Sequence, residues 1–149
     1  MNKAILKFLL YFCLVFIIDQ IIKWIFLNGF SYKSQWIDLV LTFNKGVAFS
    51  MFAFLGEYLK IIQIILMALL FSYLMIEKTL FRSYPIALGL IFGGGASNVL
   101  DRFIHGGVVD YVFWHKWFEF AVFNFADVMI DLGVVIIILQ SLNLIRKKP

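Results

Sequence analysis

The sequence predicts an all-α membrane protein with four transmembrane helices in a single domain, residues 1–149. Three observations carry this. Hydrophobic residues make up 63% of the 149-residue chain and charged residues 15%, against roughly 45–50% and 25% in soluble domains. A soluble chain of this size leaves too much surface outside its core to hide that apolar content. The apolar residues also gather into four runs of about 20 residues, the length a bilayer requires. Finally, the basic residues that flank the runs fall on one side of an even-span topology. Disorder, a nucleic-acid-binding domain and a secreted disulfide scaffold are excluded. Cys13 is the single cysteine and cannot form an internal bridge; a small apolar packing role suits it.

The first run, about 5–27, is interrupted by Asp19, Gln20 and Lys23. Lys3 and Lys7 precede it as in a signal peptide, but no A-x-A site follows and the run continues past signal-peptide length, so an uncleaved span is expected. The second run is about 58–76. The third, about 85–103, keeps its polar residues at its C-terminal end, and the fourth is about 127–145. Lys3 and Lys7, then Lys78 and Arg82, then Arg146, Lys147 and Lys148 all fall on the same side, which places both termini in the cytoplasm. They account for seven of the 13 basic residues, so the net charge of +4 reads as a topology signal. No internal repeat is visible.

Two long segments remain on the outer side, about 28–57 and 104–126. Loops of this length are usually functional. In the first, Ile37, Leu39, Leu41 and Phe43 alternate with Asp38, Val40 and Thr42, which predicts a strand with one apolar face. In the second, Tyr111 to Phe123 is aromatic and β-branched around His115 and Lys116. It fits either a hairpin or an interfacial segment, with Trp114 and Trp117 suited to the headgroup layer.

Ionisable groups inside spans cost at least ~2.5–3.5 kcal/mol on insertion scales and are functional candidates by default. Here they cluster toward the outer ends. Asp19 and Lys23 are i,i+4 in the favourable acid-before-base order, and a structural ion pair is the favoured reading. Asn98, Asp101 and Arg102 end the third span as anchors or site support. Asn124 and Asp127 open the fourth, where Asp127 also suits a helix N-cap. Asp131, one turn deeper, fits either a second buried acid or an interhelical contact. The spacing Gly89-x3-Gly93-x3-Ser97 suits close helix packing.

Chemistry follows by elimination. No G-x-S-x-G elbow and no HExxH motif occur, and neither His105 nor His115 has an evident nucleophile beside it. Carboxylates remain. Two aspartates held close cannot both ionise. The ionised one takes a proton from water while the protonated one polarises a carbonyl, as in aspartic peptidases. Composition alone does not identify the pair; Asp110 and Asp127 are favoured because both lie in or beside an outer segment that substrate can reach. A small transporter using Asp19, Asp127 and Asp131 ranks lower, because such sites sit near the midplane, often at repeat interfaces. An assembly protein without chemistry is a third reading.

At these residues the sequence resembles the bacterial lipoprotein signal peptidase (signal peptidase II) family. Five blocks match in order over essentially the whole chain: Asp19-Gln20-x-x-Lys23, Asn44-x-Gly46-x-Ala48-Phe49, Gly93-Gly94-x-x-x-Asn98-x-x-Asp101-Arg102, Val109-Asp110-Tyr111 and Phe123-Asn124-x-Ala126-Asp127. The resemblance implies an aspartic endopeptidase of the bacterial cytoplasmic (inner) membrane, its site toward the extracytoplasmic face. It would cut a prolipoprotein signal peptide just before the diacylglyceryl-modified cysteine, without a cofactor. Asp110 and Asp127 take the catalytic positions. Asp19, Lys23, Asn44, Gly46, Asn98, Asp101, Arg102, Asn124 and Ala126 match supporting or substrate-binding residues. The resemblance further implies a small extracytoplasmic β-cradle from the first outer segment, a mobile lid before the fourth helix, contact with membrane lipids and inhibition by globomycin-type peptides. Ser97 stands where the family commonly has glycine, a change that keeps a small residue for packing, and Asp131 is an extra acid.

Overall fold

The structure, a computed structural model, describes residues 2–46 and 51–146, with side chains as far as residue 142. Ala48 and Phe49 of the second sequence block lie outside the described residues, as do Lys147 and Lys148. The order of elements is α1 (Asn2–Leu27), β1 (Ile37–Asn44), a 3-10 turn (Ala53–Leu55), α2 (Tyr58–Ile76), a short α3 (Lys78–Ser83), α4 (Pro85–His105), β2 (Val108–Trp114) and α5 (Phe125–Arg146). The four long helices coincide with the four apolar runs to within a few residues. Pro85 starts α4 at its first turn, where its missing N–H removes no helical bond. Gly106 ends it with φ 70°, the left-handed conformation that glycine adopts without a Cβ clash.

Among the described residues, three helices, α1, α2 and α5, are long and apolar enough to cross a membrane. Most of their surface is uncovered: Leu6, Ile17, Leu66, Leu69 and Leu139 are exposed. Apolar surface on this scale needs hydrocarbon as its solvent. Cys13 is exposed on α1 as well, so it is a surface residue and not the packing residue expected of it. The helix α4 differs. It is packed between α1 and α5, and between Ala87 and Arg102 it buries more residues than any other element.

The close packing runs through glycine. A Cβ on Gly93 would stand 2.7 Å from the Phe12 carbonyl oxygen of α1, and one on Gly94 would stand 2.7 Å from the Ala126 carbonyl oxygen of α5. The predicted stripe Gly89-x3-Gly93-x3-Ser97 therefore serves helix contact against α1, while Gly94, outside that stripe, packs against α5. At one end of the bundle Phe8, Leu74, Phe81, Leu88 and Phe92 form an apolar cluster. The Phe8 ring lies tilted 5.3 Å from the Phe81 ring and edge-on 5.9 Å from the Phe92 ring.

At the other end β1 and β2 pair antiparallel, with Thr42 opposite Asp110 and Asn44 opposite Val108. The sheet thus draws one strand from each outer segment, where the first segment alone was expected to build it. The predicted strand is present as β1, and two of its features shape the site. The apolar face is not the buried one: Leu41 and Phe43 are exposed, while Thr42 and Asn44 turn inward. The register slips between Leu39 and Thr42, and from there the strand directs polar side chains at the end of the bundle. The second outer segment resolves as a hairpin-like return. Val112 and Phe123 exchange both backbone hydrogen bonds, and Lys116 sits 3.4 Å above the Trp36 ring.

Candidate active site

Three helix ends and the sheet converge on one buried polar cluster. The C-terminal half of α1 brings Asp19, Gln20 and Lys23, the last turns of α4 bring Ser97, Asn98, Asp101 and Arg102, and the start of α5 brings Asn124 and Asp127. Residues spaced i, i+3, i+4 share one helix face, so each element delivers its polar side chains as a set. β1 contributes Asn44 and β2 contributes Asp110.

The foundation is ionic. The Lys23 ammonium lies 2.6 Å from Asp19 Oδ2 and 2.6 Å from Asp101 Oδ2, with all three side chains almost wholly buried. Burying a charge is tolerable only when partners satisfy it, and each carboxylate here has several. Asp19 Oδ2 accepts from the Ser97 hydroxyl at 2.6 Å, and Asp19 Oδ1 accepts from the Ala126 backbone N–H at 2.9 Å. Asp101 accepts from the Gln20 amide at 2.9 Å and from the Val109 backbone N–H at 3.1 Å. One ion group therefore ties α1 to α4, to the first turn of α5 and to the start of β2.

Asparagines carry this order to the two remaining acids. The Lys23 ammonium donates to Asn98 Oδ1 at 2.8 Å, which turns the Asn98 Nδ2 toward Asp127 Oδ1, 2.9 Å away. Asn124 opens α5 as its N-cap. Its Oδ1 accepts from the Asp127 N–H at 2.9 Å while Asp127 Oδ2 accepts from the Asn124 N–H at 3.1 Å, a reciprocal capping pair. Asp127 is therefore the third residue of the helix and not its cap. The Asn124 Nδ2 donates to Asp110 Oδ1 at 2.7 Å. Asn44 Oδ1 accepts from the Gly46 N–H at 2.9 Å, which leaves its Nδ2 to donate to Asp110 Oδ2 at 3.0 Å. Arg102 Nη2 donates to the Gly46 carbonyl and so holds that turn.

Asp110 and Asp127 thus each receive two N–H donors, and both line one cavity of about 480 Å³ together with Asn44, Asn98, Arg102 and Phe123. Burial, then the charge of Asp127, pushes the Asp110 carboxyl up to about 7 despite the amides that donate to it. An acid in that range holds or releases a proton near neutral pH, as a general acid or base requires. Beside it, burial raises the Tyr111 hydroxyl, which accepts from the Phe125 N–H at 2.9 Å and stacks 4.2 Å from Phe26.

Every site residue expected from the sequence falls in this cluster: Asp19, Lys23, Asn44, Gly46, Asn98, Asp101, Arg102, Asp110, Asn124, Ala126 and Asp127. Three members were not expected to work there. Gln20 donates to both Ser97 Oγ and Asp101. Ser97, expected only to preserve packing, is a hydrogen-bonded bridge between α1 and α4. Tyr111 holds the first turn of α5. Gln20 and Tyr111 stood inside the quoted blocks, which was the available signal. Asp131 also lines the cavity, so it faces neither a buried core nor a neighbouring helix.

The family model described as Signal peptidase (SPase) II matches residues 11–143. The chain is 55% identical over 140 residues to a lipoprotein signal peptidase of Helicobacter pylori (strain Shi470), covering 94% of this chain and 89% of that one. It is 50% identical over 146 residues to one from Campylobacter jejuni subsp. jejuni serotype O:6, covering 95% and 94%. A solved bacterial membrane enzyme superposes with a TM-score of 0.79 at 27% identity, over 99% of this chain and 93% of that one.

Proposed function

The chain belongs to the signal peptidase II family, and on that premise we propose that it is an aspartic endopeptidase. It removes the signal peptide from prolipoproteins by cutting before the diacylglyceryl-modified cysteine. The observation that carries this reading is the pair Asp110 and Asp127, a buried and a half-buried carboxyl on one cavity wall, each fed by asparagine N–H donors, with Asp110 pushed up to about 7.

The pair shares one proton. Its ionised oxygen takes a proton from a water as that water attacks the scissile carbonyl carbon. The protonated partner donates to the carbonyl oxygen as it becomes an alkoxide. Collapse of the tetrahedral intermediate re-forms C=O and returns its hydroxyl proton to the carboxyl that gave it; the C–N bond breaks, and the proton taken from water passes to the leaving amine of the lipidated cysteine. The pair then holds one proton again. Asn44, Asn98 and Asn124 keep the acceptor lone pairs aimed, and Lys23 with Asp19 and Asp101 keeps the asparagines aimed.

Residues 1–149 act as one polytopic domain of the bacterial inner membrane. α4 is a span as well, the third along the chain: its 21 residues reach about 31 Å at 1.5 Å per residue. Its charged end is affordable in a bilayer because α1, β2 and α5 satisfy it. The polar helix ends and the sheet lie together, which leaves Lys3, Lys7 and Arg82 at the opposite, cytoplasmic end. The cavity then opens at the extracytoplasmic interface, where a lipidated cysteine is held by its acyl chains among membrane lipids. Globomycin-type peptides compete for the same cavity.

The test is incubation of the purified protein in detergent with a diacylglyceryl-modified prolipoprotein, read as a gel shift, with the unmodified precursor as control. Cleavage of the modified substrate alone, stopped by globomycin, is the expected result. Equal cleavage of both precursors, or of neither, overturns the reading.

A further inference from the structure

One acid on the cavity wall has no part in the chemistry above. Asp131 lies one helical turn beyond Asp127 on α5, on the same face, and its side chain is exposed to the cavity. It makes no hydrogen bond or ion pair with any described residue. Across the cavity wall, α2 contributes Gln63, whose Oε1 is buried and has no hydrogen-bond partner. The neighbouring lining residues Val128 and Ile130 are apolar. Two unspent polar groups therefore stand on an otherwise apolar stretch of wall, deeper along the span than the catalytic pair.

Leaving such groups unsatisfied is costly where water is scarce, and their geometry names a ligand. A protease needs its substrate extended, and extended backbone at membrane depth has N–H and C=O groups that no helix satisfies. The signal-peptide side of the substrate is the side that runs inward from the cleavage point. Four residues of α5 advance the wall by about 6 Å, and two residues of extended chain cover about 6.6 Å. Asp131 therefore comes level with the substrate backbone about two residues before the scissile bond.

Building on the peptidase reading, we infer that Asp131 and Gln63 form a backbone-holding subsite for the unwound end of the signal peptide. Asp131 accepts from a substrate N–H, and Gln63 offers its free Oε1 to another. Neither touches the reacting atoms; they are positioning residues, whose loss weakens substrate capture and leaves the bond-breaking step intact.

The test uses the full chain in detergent and a synthetic lipidated substrate in two forms. One is all-amide, and the other carries an ester in place of the amide N–H two residues before the scissile bond. Asp131→Leu is expected to raise KM about tenfold, the worth of one charge-assisted hydrogen bond, with kcat held within about twofold. Asp131→Asn keeps an acceptor and restores most of the loss. The ester raises KM for the wild type and adds nothing in Asp131→Leu, since the two changes remove one interaction. Wild-type kinetics in Asp131→Leu, or equal ester penalties in both proteins, overturn the subsite while leaving the peptidase reading standing. Failure of the wild type to cleave either substrate overturns both.

Discussion

At one end of the bundle Phe8, Leu74, Phe81, Leu88 and Phe92 pack without a hydrogen bond among their side chains. At the other, Asp19, Lys23, Ser97, Asn98, Asp101 and Asn124 are buried as deeply, and nearly every polar atom has a named partner. Dispersion and apolar burial carry little direction, so rings at the first end are free to tilt, with interplanar angles of 34° to 75°. Hydrogen bonds and ion pairs carry direction and lose most of their worth when one partner leaves. The contrast separates two tasks within one fold. The aromatic end supplies cohesion that tolerates change. The polar end supplies aim, and is expected to fail when a single member is removed.

The sharpest way to probe aim is to remove charge without removing shape. Asp110→Asn and Asp127→Asn are each expected to lower turnover of a lipidated prolipoprotein by about 10⁴-fold, the upper end of acid–base catalysis. Circular dichroism and detergent melting should show the folded protein retained, because an asparagine still fills the site. Turnover within tenfold of wild type in either variant removes that residue from the mechanism.

Next in size is Lys23. Lys23→Met keeps the volume and takes away the cation between Asp19 and Asp101. Two buried carboxylates are then left facing each other, and a loss of about 3–5 kcal/mol in folding stability is expected. Asn98 also loses the contact that orients its amide. Melting in detergent checks the first effect, and residual turnover at a temperature where the variant is folded checks the second. Lys23→Met with wild-type melting would show that the polar end is no more fragile than the aromatic one.

These two effects mark what was legible in the chain beforehand. The i,i+4 spacing of Asp19 and Lys23 announced an ion pair, and the four apolar runs announced four long helices. Asp110 and Asp127 stood out because little else in the chain was chemically capable. The partners of those groups were less visible. Ser97 and Gln20 meet across 77 positions of sequence, and a neutral side chain leaves no periodic trace of a contact that distant. Asn124 and not Asp127 caps α5 because the cap is decided by where the chain turns, which side-chain preference alone does not fix. The alternation along β1 predicted a strand but not which of its faces turns inward. Leu41 and Phe43 are exposed while Thr42 and Asn44 turn toward the polar cluster, so the buried-apolar rule inverts in that half of the strand.

A third test exploits pH. Asp110 is held up to about 7 in the fold, far above its unfolded value, because burial and the charge of Asp127 favour the protonated form. The folded protein therefore binds more protons than the unfolded chain between about pH 4 and 7. Its stability is highest below that window and falls as pH rises through it. The shift corresponds to as much as ~4 kcal/mol. Detergent melting from pH 4.5 to 8 should show the decline, and Asp110→Asn should flatten it. Turnover should also fall above about pH 7, as the shared proton is lost. A melting curve whose pH slope is unchanged in Asp110→Asn would place the titration elsewhere in the cluster.

The smallest effect completes the contrast from the other end. Phe8 touches Phe12, Phe71, Phe81 and Phe92 at once, so it is the centre of the aromatic cluster. Phe8→Leu removes a ring that meets four others at once. Yet its neighbours are rings and branched chains with room to shift, and lipid lies at hand to fill what they leave. A loss of about 1 kcal/mol is expected, read as a melting shift of a few degrees, with turnover unchanged because no hydrogen bond to the carboxyl pair passes through this end. If Phe8→Leu instead cut turnover tenfold while leaving melting intact, the two ends would be coupled through α1, and aim would depend on the apolar end as well.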